Sequence, residues 1–134
     1  MNILVLGDVV GPSGVSAIKK NLPKIITSEK VDFVIANGEN AADSGVGITE
    51  INTEDFFNTG IDVITSGNHI WDQAETMKFI KNKKQLLRPE NLIKPSPGEG
   101  YGIFNSKNNK KVAVLNLMGN VYMKKSEDVF NSAK

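Results

Sequence analysis

The sequence predicts an α/β fold with an at least partly parallel sheet, and three observations predict it. Apolar runs at 3–6 and 33–36 have the length and continuity of buried strands, and 62–65, with Val63 and Ile64 at its centre, reads as a third. Each run ends in a Gly followed by polar residues. Between the runs, apolar residues recur at helical spacing, so strands alternate with helices. With 134 residues, 40% of them hydrophobic, the chain can build one core, and it shows no internal repeat, low-complexity tract or linker.

Taken in order, Ile3 to Leu6 is expected to be a strand buried on both faces, and Gly7 to Gly14 is turn chemistry. Val15, Ile18, Leu22 and Ile25 mark the first helix, which Pro23 should kink or break. Phe33 to Ala36 is the second strand, ending in Asn37-Gly38-Glu39-Asn40, with a Gly-rich loop from Ala41 to Gly47. Thr49 caps a helix that ends near Gly60. Asp62 to Thr65 is the third strand, ending in Ser66-Gly67-Asn68-His69, and Ile70, Ala74, Met77 and Ile80 mark a further helix. Arg88-Pro89-Glu90-Asn91 opens a loop containing Pro95 and Pro97. Tyr101–Phe104 and Val112–Leu117 read as a hairpin, and the last dozen residues are polar with no core of their own.

Composition narrows the function. A net charge of +1 gives no electrostatic case for a nucleic-acid or membrane partner, and leaves a homo-oligomer open. The absence of Cys excludes disulfides, thiolate metal sites and a Cys nucleophile. The N-terminus has neither the charged region nor the apolar length of a signal peptide, so a cytoplasmic protein is expected.

The chemistry gathers at the strand ends. A parallel sheet lines up the carboxyl ends of its strands along one edge, where ligands bind. Here those ends carry Asp8, then Glu39 and Asn40, then Asn68 and His69, each set after a Gly (Gly7, Gly38, Gly67) that lets the chain turn and a ligand approach. Two carboxylates, two amides and an imidazole suit Mn, Mg or Fe(II), with Zn also acceptable. Two such cations ~3.5–4 Å apart can clamp a phosphate and ionise a water between them. Each residue alone admits a plainer role. Asp8 could cap the following helix, Glu39 and Asn40 could be solvated loop residues, and Asn68 could be a turn residue. His69, the only His, could be packed or solvated, and the coincidence at three strand ends is what favours a site. Trp71 and Asp72 each admit two readings: pocket wall, or core residue and helix cap. Gly7, Gly11 and Gly14 follow a strand, but their spacing is not that of a dinucleotide fingerprint.

Gly7-Asp8-Val9-Val10-Gly11, Asn37-Gly38-Glu39-Asn40-Ala41-Ala42 and Gly67-Asn68-His69-Ile70-Trp71-Asp72 resemble the bacterial YmdB-like metallophosphoesterases, within the calcineurin-like metallophosphoesterase superfamily. The resemblance continues through Arg88-Pro89-Glu90-Asn91 and Val114-Leu115-Asn116-Leu117-Met118-Gly119, so it covers nearly the whole chain. It implies an αββα sandwich, of which this chain supplies the first βαβ units and the hairpin. It implies a hydrolase: a phosphodiesterase acting on 2′,3′-cyclic nucleotides and related small phosphoesters, with two divalent metal ions. Carried over, the roles are Asp8 on the first metal, Glu39 on both, Asn40 and Asn68 on the second, and His69 as the acid that protonates the leaving oxygen.

The sequence departs from the family in one respect. Further His ligands of the family come from motifs resembling D-F-H-A-E and G-T-H-T-H, which this chain lacks. The first metal then keeps only Asp8 and Glu39. The expectation is that residues 1–134 are the N-terminal half of a single domain, inactive alone, with apolar surface exposed. The alternatives are a non-catalytic nucleotide- or phosphate-binding module, whose Gly-rich loops cradle phosphate through backbone N–H groups, and a degenerate fragment.

Overall fold

A computed structural model describes every residue of the chain except Lys94 and Lys124. Four strands form one parallel sheet in chain order: β1 (Ile3–Val10), β2 (Phe33–Asn40), β3 (Val63–Thr65) and β4 (Leu86–Leu87). Between them run α1 (Gly11–Ser28), α2 (Glu50–Thr59) and α3 (Thr76–Phe79), the last continued by a 3-10 turn, Ile80–Asn82. Crossovers between parallel strands share one hand. When strand order follows chain order, they therefore place every helix on the same face. The core shows this: Leu4, Leu6, Val34, Ala36, Ile64 and Leu86 face Val15, Leu22, Phe56 and Ile80.

The opposite face is covered by an antiparallel hairpin, β5 (Tyr101–Asn105) and β6 (Lys111–Leu115). Phe104, Val112 and Val114 pack on Phe33, Ile35, Val63 and Leu87. The layers are thus helices, parallel sheet and second sheet, the α/β architecture expected. The hairpin packs on the first sheet through Val112 and Val114. Its outer face is open, with Tyr101, Ile103 and Leu115 exposed. A short α4 (Val129–Ser132), capped by Asp128, follows and buries none of its residues.

Several sequence expectations are corrected. β1 is an edge strand covered on its helix side only: Ile3 and Val5 are 42% and 68% exposed, because the hairpin spans β2 to β4 and stops short of β1. The strand also runs four residues further than its apolar run, to Val10, with register shifts on either side of Asp8. Pro23 does not end α1. Leu22 is fully buried and Ile26 packs on the core, so apolar contacts hold the helix on both sides of the one bond that Pro removes. Ile26, not Ile25, completes that face. The segment from Ile70 to Ile80 is not one helix. Turns closed by Ile70 N–H to Gly67 O, Asp72 N–H to His69 O and Thr76 N–H to Gln73 O precede α3. Ile70 and Ile80 are buried, but Met77 faces solvent. The capped helix holds as expected: Thr49 and Asn52 form a reciprocal capping box on α2, and Gly60 ends it at φ 107°.

Candidate active site

The site lies where β1, β2 and β3 end side by side. β2 is the middle strand, and its last two residues point to different neighbours. On the β1 side, the Asn40 amide Nδ2 donates to both oxygens of Asp8, at 3.1 and 2.9 Å. The register shifts around Asp8 are a bulge of the kind that re-aims a side chain at a strand end. On the β3 side, the His69 backbone N–H donates to Glu39 Oε1 at 3.1 Å. The Glu39 backbone N–H is in turn held by Asn37 Oδ1 at 2.9 Å. Four of the five expected site residues are therefore linked in two bonded pairs across adjacent strand ends. Asn68 is half-buried between Gly67 and His69, on the same loop.

Packing requires two of the three strand-end glycines, Gly38 and Gly67, whereas a Cβ at Gly7 would meet nothing within 4 Å. A Cβ at Gly38 would press on Ile64, Ile48 and Phe56 at 2.9, 3.0 and 3.2 Å, so Gly38 lets β2 sit against the helix-side core. A Cβ at Gly67 would fall inside the Glu39 carboxylate. Gly67 thus makes the space that Glu39 occupies.

The loop carrying Asn68 and His69 is fastened from below by residues that sequence reasoning did not single out individually. Buried Asn116 donates from Nδ2 to Ser66 O at 2.8 Å and to Leu87 O at 3.0 Å, and Ser66 Oγ donates to the same Leu87 carbonyl at 2.8 Å. Asn91 does similar work one layer out. Its Nδ2 donates to Met118 O at 2.7 Å, and its Oδ1 accepts from Met118 N–H at 2.9 Å. These bonds give the Arg88–Asn91 and Val114–Gly119 segments a structural role. Buried amides in loops after short strands are the signal that points to them. Trp71 packs on the core, and Asp72 pairs with the His69 ring, Nδ1 to Oδ2 2.6 Å.

Among the described residues, no three His, Asp or Glu side chains lie close enough to form a metal group by themselves. Asn ligands complete the expected set, and one of them bears directly on the fit. Asn40 Oδ1 is buried and has no hydrogen-bond partner. A buried amide oxygen left unpaired costs free energy, and a hard cation is a partner that would satisfy it. The donor set therefore fits a divalent metal, with Asp8, Glu39, Asn40 and Asn68 as the residues available to hold it.

A parallel sheet whose strand ends carry carboxylates, amides and a histidine defines an α/β protein with a polar candidate site along one sheet edge. The comparisons make that class specific. The chain belongs to the YmdB-like protein family, which matches residues 4–134. It is 41% identical over 133 residues to a 2′,3′-cyclic-nucleotide 2′-phosphodiesterase of Bacillus subtilis, covering 99% of this chain and 50% of that protein. A crystal structure of a hypothetical protein from Thermus thermophilus superposes with a TM-score of 0.90 at 31% identity, over 99% of this chain and 51% of the other. A phosphatase structure from Mycoplasma pneumoniae superposes with a TM-score of 0.87 at 32% identity, over 98% of this chain and 48% of the other. The chain thus spans about half the length of the relatives it matches.

Proposed function

We propose that this chain forms one wall of a two-cation phosphodiesterase site that hydrolyses 2′,3′-cyclic nucleotides. The observation that carries the reading is the pair of bonds joining Asp8 to Asn40 and Glu39 to the His69 loop along one strand-end edge. The chemistry of the Bacillus subtilis relative supplies the substrate class. In this reading Asp8 and Glu39 serve one divalent cation (Fe, Mn, Mg or Zn), and Glu39, Asn40 and Asn68 serve the other. When bound, the cations would ionise a water and offset the negative charge of the phosphoryl group.

The other roles belong to this chain's own groups. The strand-end edge fixes the carboxylates and amides before substrate arrives, so little reorganisation is needed as charge builds up. His69 acts as general acid. As the bond from phosphorus to the leaving oxygen breaks, its electron pair stays on that oxygen, which takes a proton from the ring. Asn116, Ser66 and the Glu39 carboxylate hold the His69 backbone in place for that transfer.

Residues 1–134 act as half of a single domain in this reading. One cation has only two ligands from this chain, which leaves the chain alone inactive. The test is to supply the unmatched half of the Bacillus subtilis relative, coexpressed or fused, and to assay 2′,3′-cyclic AMP. Hydrolysis that requires a divalent cation and is lost in Glu39→Gln and His69→Ala supports the reading. Nucleotide binding without turnover, unaffected by chelator, refutes it in favour of a phosphate-binding module.

A further inference from the structure

We infer that Tyr122 is the platform for the substrate's nucleobase: its ring stands beside the strand-end edge and stacks on the base of a nucleotide whose cyclic phosphate lies at that edge. This assignment rests on the phosphodiesterase reading of the site. Its geometry begins where the hairpin meets the edge. β6 ends at Leu115, and Asn116 Nδ2 then donates to Ser66 O at 2.8 Å and to Leu87 O at 3.0 Å. Ser66 stands three residues before His69, so the chain leaves β6 beside the loop that carries Asn68 and His69.

The turn that follows is fastened on both sides to one side chain. Asn91 is fully buried and pairs with the Met118 backbone through both amide atoms. Its Nδ2 also donates to Ser126 Oγ and to Glu127 O, each at 3.2 Å, and its backbone oxygen accepts from Glu127 N–H at 2.8 Å. Between these anchors Met123 N–H donates to Asn120 O at 3.4 Å, closing a turn with Val121 and Tyr122 at its tip. Tyr122 occupies the third position of that turn at φ 59°, where Gly or Asn is the usual residue. A side chain there carries a backbone cost. Burial does not offset it, because Tyr122 is fully exposed, and Val121 beside it is 77% exposed. A strained aromatic at the tip of an anchored turn is accounted for by a ligand that covers it.

The position selects the ligand. A cyclic phosphate held at the strand ends carries its ribose and base away from the edge, toward one of two walls. On the helix side the wall is the Gly-rich loop, Ala41 to Gly47, which contains no aromatic residue. On the hairpin side it is this turn. The other exposed aromatics lie elsewhere, Tyr101 on the outer face of the hairpin and Phe130 in α4, and Trp71 packs on the core. Every base has a π-face, so a ring binds it without reading its edge. The thioether of Met123, 46% exposed, adds a polarizable surface at the same tip. The platform therefore favours nucleoside 2′,3′-cyclic phosphates over small cyclic phosphates that lack a base. It favours purines, with their larger face, over pyrimidines.

The test uses the completed protein and compares KM for 2′,3′-cyclic AMP with KM for methyl ribofuranoside 2′,3′-cyclic phosphate, which has no base. Stacking is worth about 5- to 150-fold per base, so Tyr122→Ala should shrink the preference for the nucleotide by a factor in that range. The loss should lie in KM, since a base remote from the phosphorus is held alike in ground and transition states. Tyr122→Trp should keep the preference, and the loss in Tyr122→Ala should be smaller for 2′,3′-cyclic CMP. An unchanged preference in Tyr122→Ala overturns the inference. A lowered melting temperature with both substrates weakened alike also overturns it, and shows the ring packing against the other half of the protein. A second readout needs no turnover: a nuclear Overhauser contact between adenine H8 or H2 and the Tyr122 ring at saturating nucleotide. Its absence overturns the inference. Failure of the phosphodiesterase reading shows separately, as absence of cation-dependent hydrolysis, and the Overhauser contact then still decides whether Tyr122 meets the base.

Discussion

Gly67→Ala tests the site at its tightest point. The added Cβ would fall within the Glu39 carboxylate, which has to withdraw by about 1 Å or more before ordinary contact is restored. Glu39 is the free end of a flexible side chain, so the backbone of β2 and β3 need not move. What is lost is the bond from the His69 N–H to Glu39 Oε1. A hydrogen bond to a charged group is worth about 1.5–3 kcal/mol, and its half-buried position brings the expected loss down to about 1 kcal/mol. For a domain of this size that lowers the melting temperature by about 3–5 °C. The functional loss should be larger than the loss of stability, since the displaced carboxylate is the one proposed to serve both cations. Two measurements separate the effects: a thermal melt, and Mn²⁺ line broadening of the backbone amides at 8, 39, 40 and 67–69. The expected result is a cooperative melt a few degrees lower, with broadening reduced at all of these amides. Unchanged broadening alongside the lowered melt would refute the placement of Glu39 as a ligand. A melt unchanged within error would refute the steric argument itself.

Asn116→Ala strips donors from the Ser66 and Leu87 carbonyls in a buried setting. It should cost about 2–4 kcal/mol in urea denaturation and speed hydrogen exchange at residues 66–69. Leu87→Ala, beneath the hairpin, should cost about 2–5 kcal/mol. Val5→Thr, on the uncovered part of the same sheet face, should stay within about 0.5 kcal/mol. Equal costs for these two would show that β1 is covered after all. Burial raises the pKa of Asp62 above its ordinary 3.8, against the opposing effects of the Val34 N–H bond and the Lys107 charge. The folded state therefore holds this proton to higher pH than the unfolded chain does. The stability that the proton confers is complete below the unfolded value and is lost as pH rises through the folded one. Relative to Asp62→Asn, the unsubstituted protein should be favoured most at low pH and lose ground as pH rises, read from urea midpoints across that range.

How much of this was legible in the sequence depends on the range of the forces involved. The first three strand signals and the capped helix at 50–59 were legible because their patterns are local: apolar residues in sequence, a Thr cap, a Gly stop. That the strand ends bearing Asp8, Glu39, Asn40, Asn68 and His69 lie side by side was legible because parallel topology by itself brings strand ends together. The two-residue β4 was not, since Leu86-Leu87 between Lys-rich and Pro-bearing segments is too short to show a period. The helix expected from Ile70 to Ile80 failed for a related reason. Its two terminal apolar residues are buried as a helix would bury them, and spacing cannot distinguish a helix from successive turns with the same end points. The pairing of Asp8 with Asn40, and of Glu39 with the loop of His69, depends on which way consecutive side chains leave the end of β2. That direction is set by register and bulge, which no local pattern encodes.

The gaps in the core and in the proposed site fall on the same strand. β1 is the edge of the parallel sheet, carries the uncovered Ile3 and Val5, and ends in exposed Asp8. The other strands show the opposite: Phe33, Val63 and Leu87 lie under the hairpin, and Glu39 is half-buried against the His69 loop. On the proposed reading, the cation with too few ligands is the one served by Asp8. A single structural cause then accounts for both gaps. Elements that extended the second sheet over β1 would cover Ile3 and Val5, and they would bring their own loops to the Asp8 end of the edge. The argument has a measurable consequence in the completed protein. Amides of residues 3–6 should gain protection from hydrogen exchange together with tight cation binding, because one docking event would produce both. Tight cation binding at Asp8 with Ile3 and Val5 still open to solvent would separate the two gaps and refute their common origin.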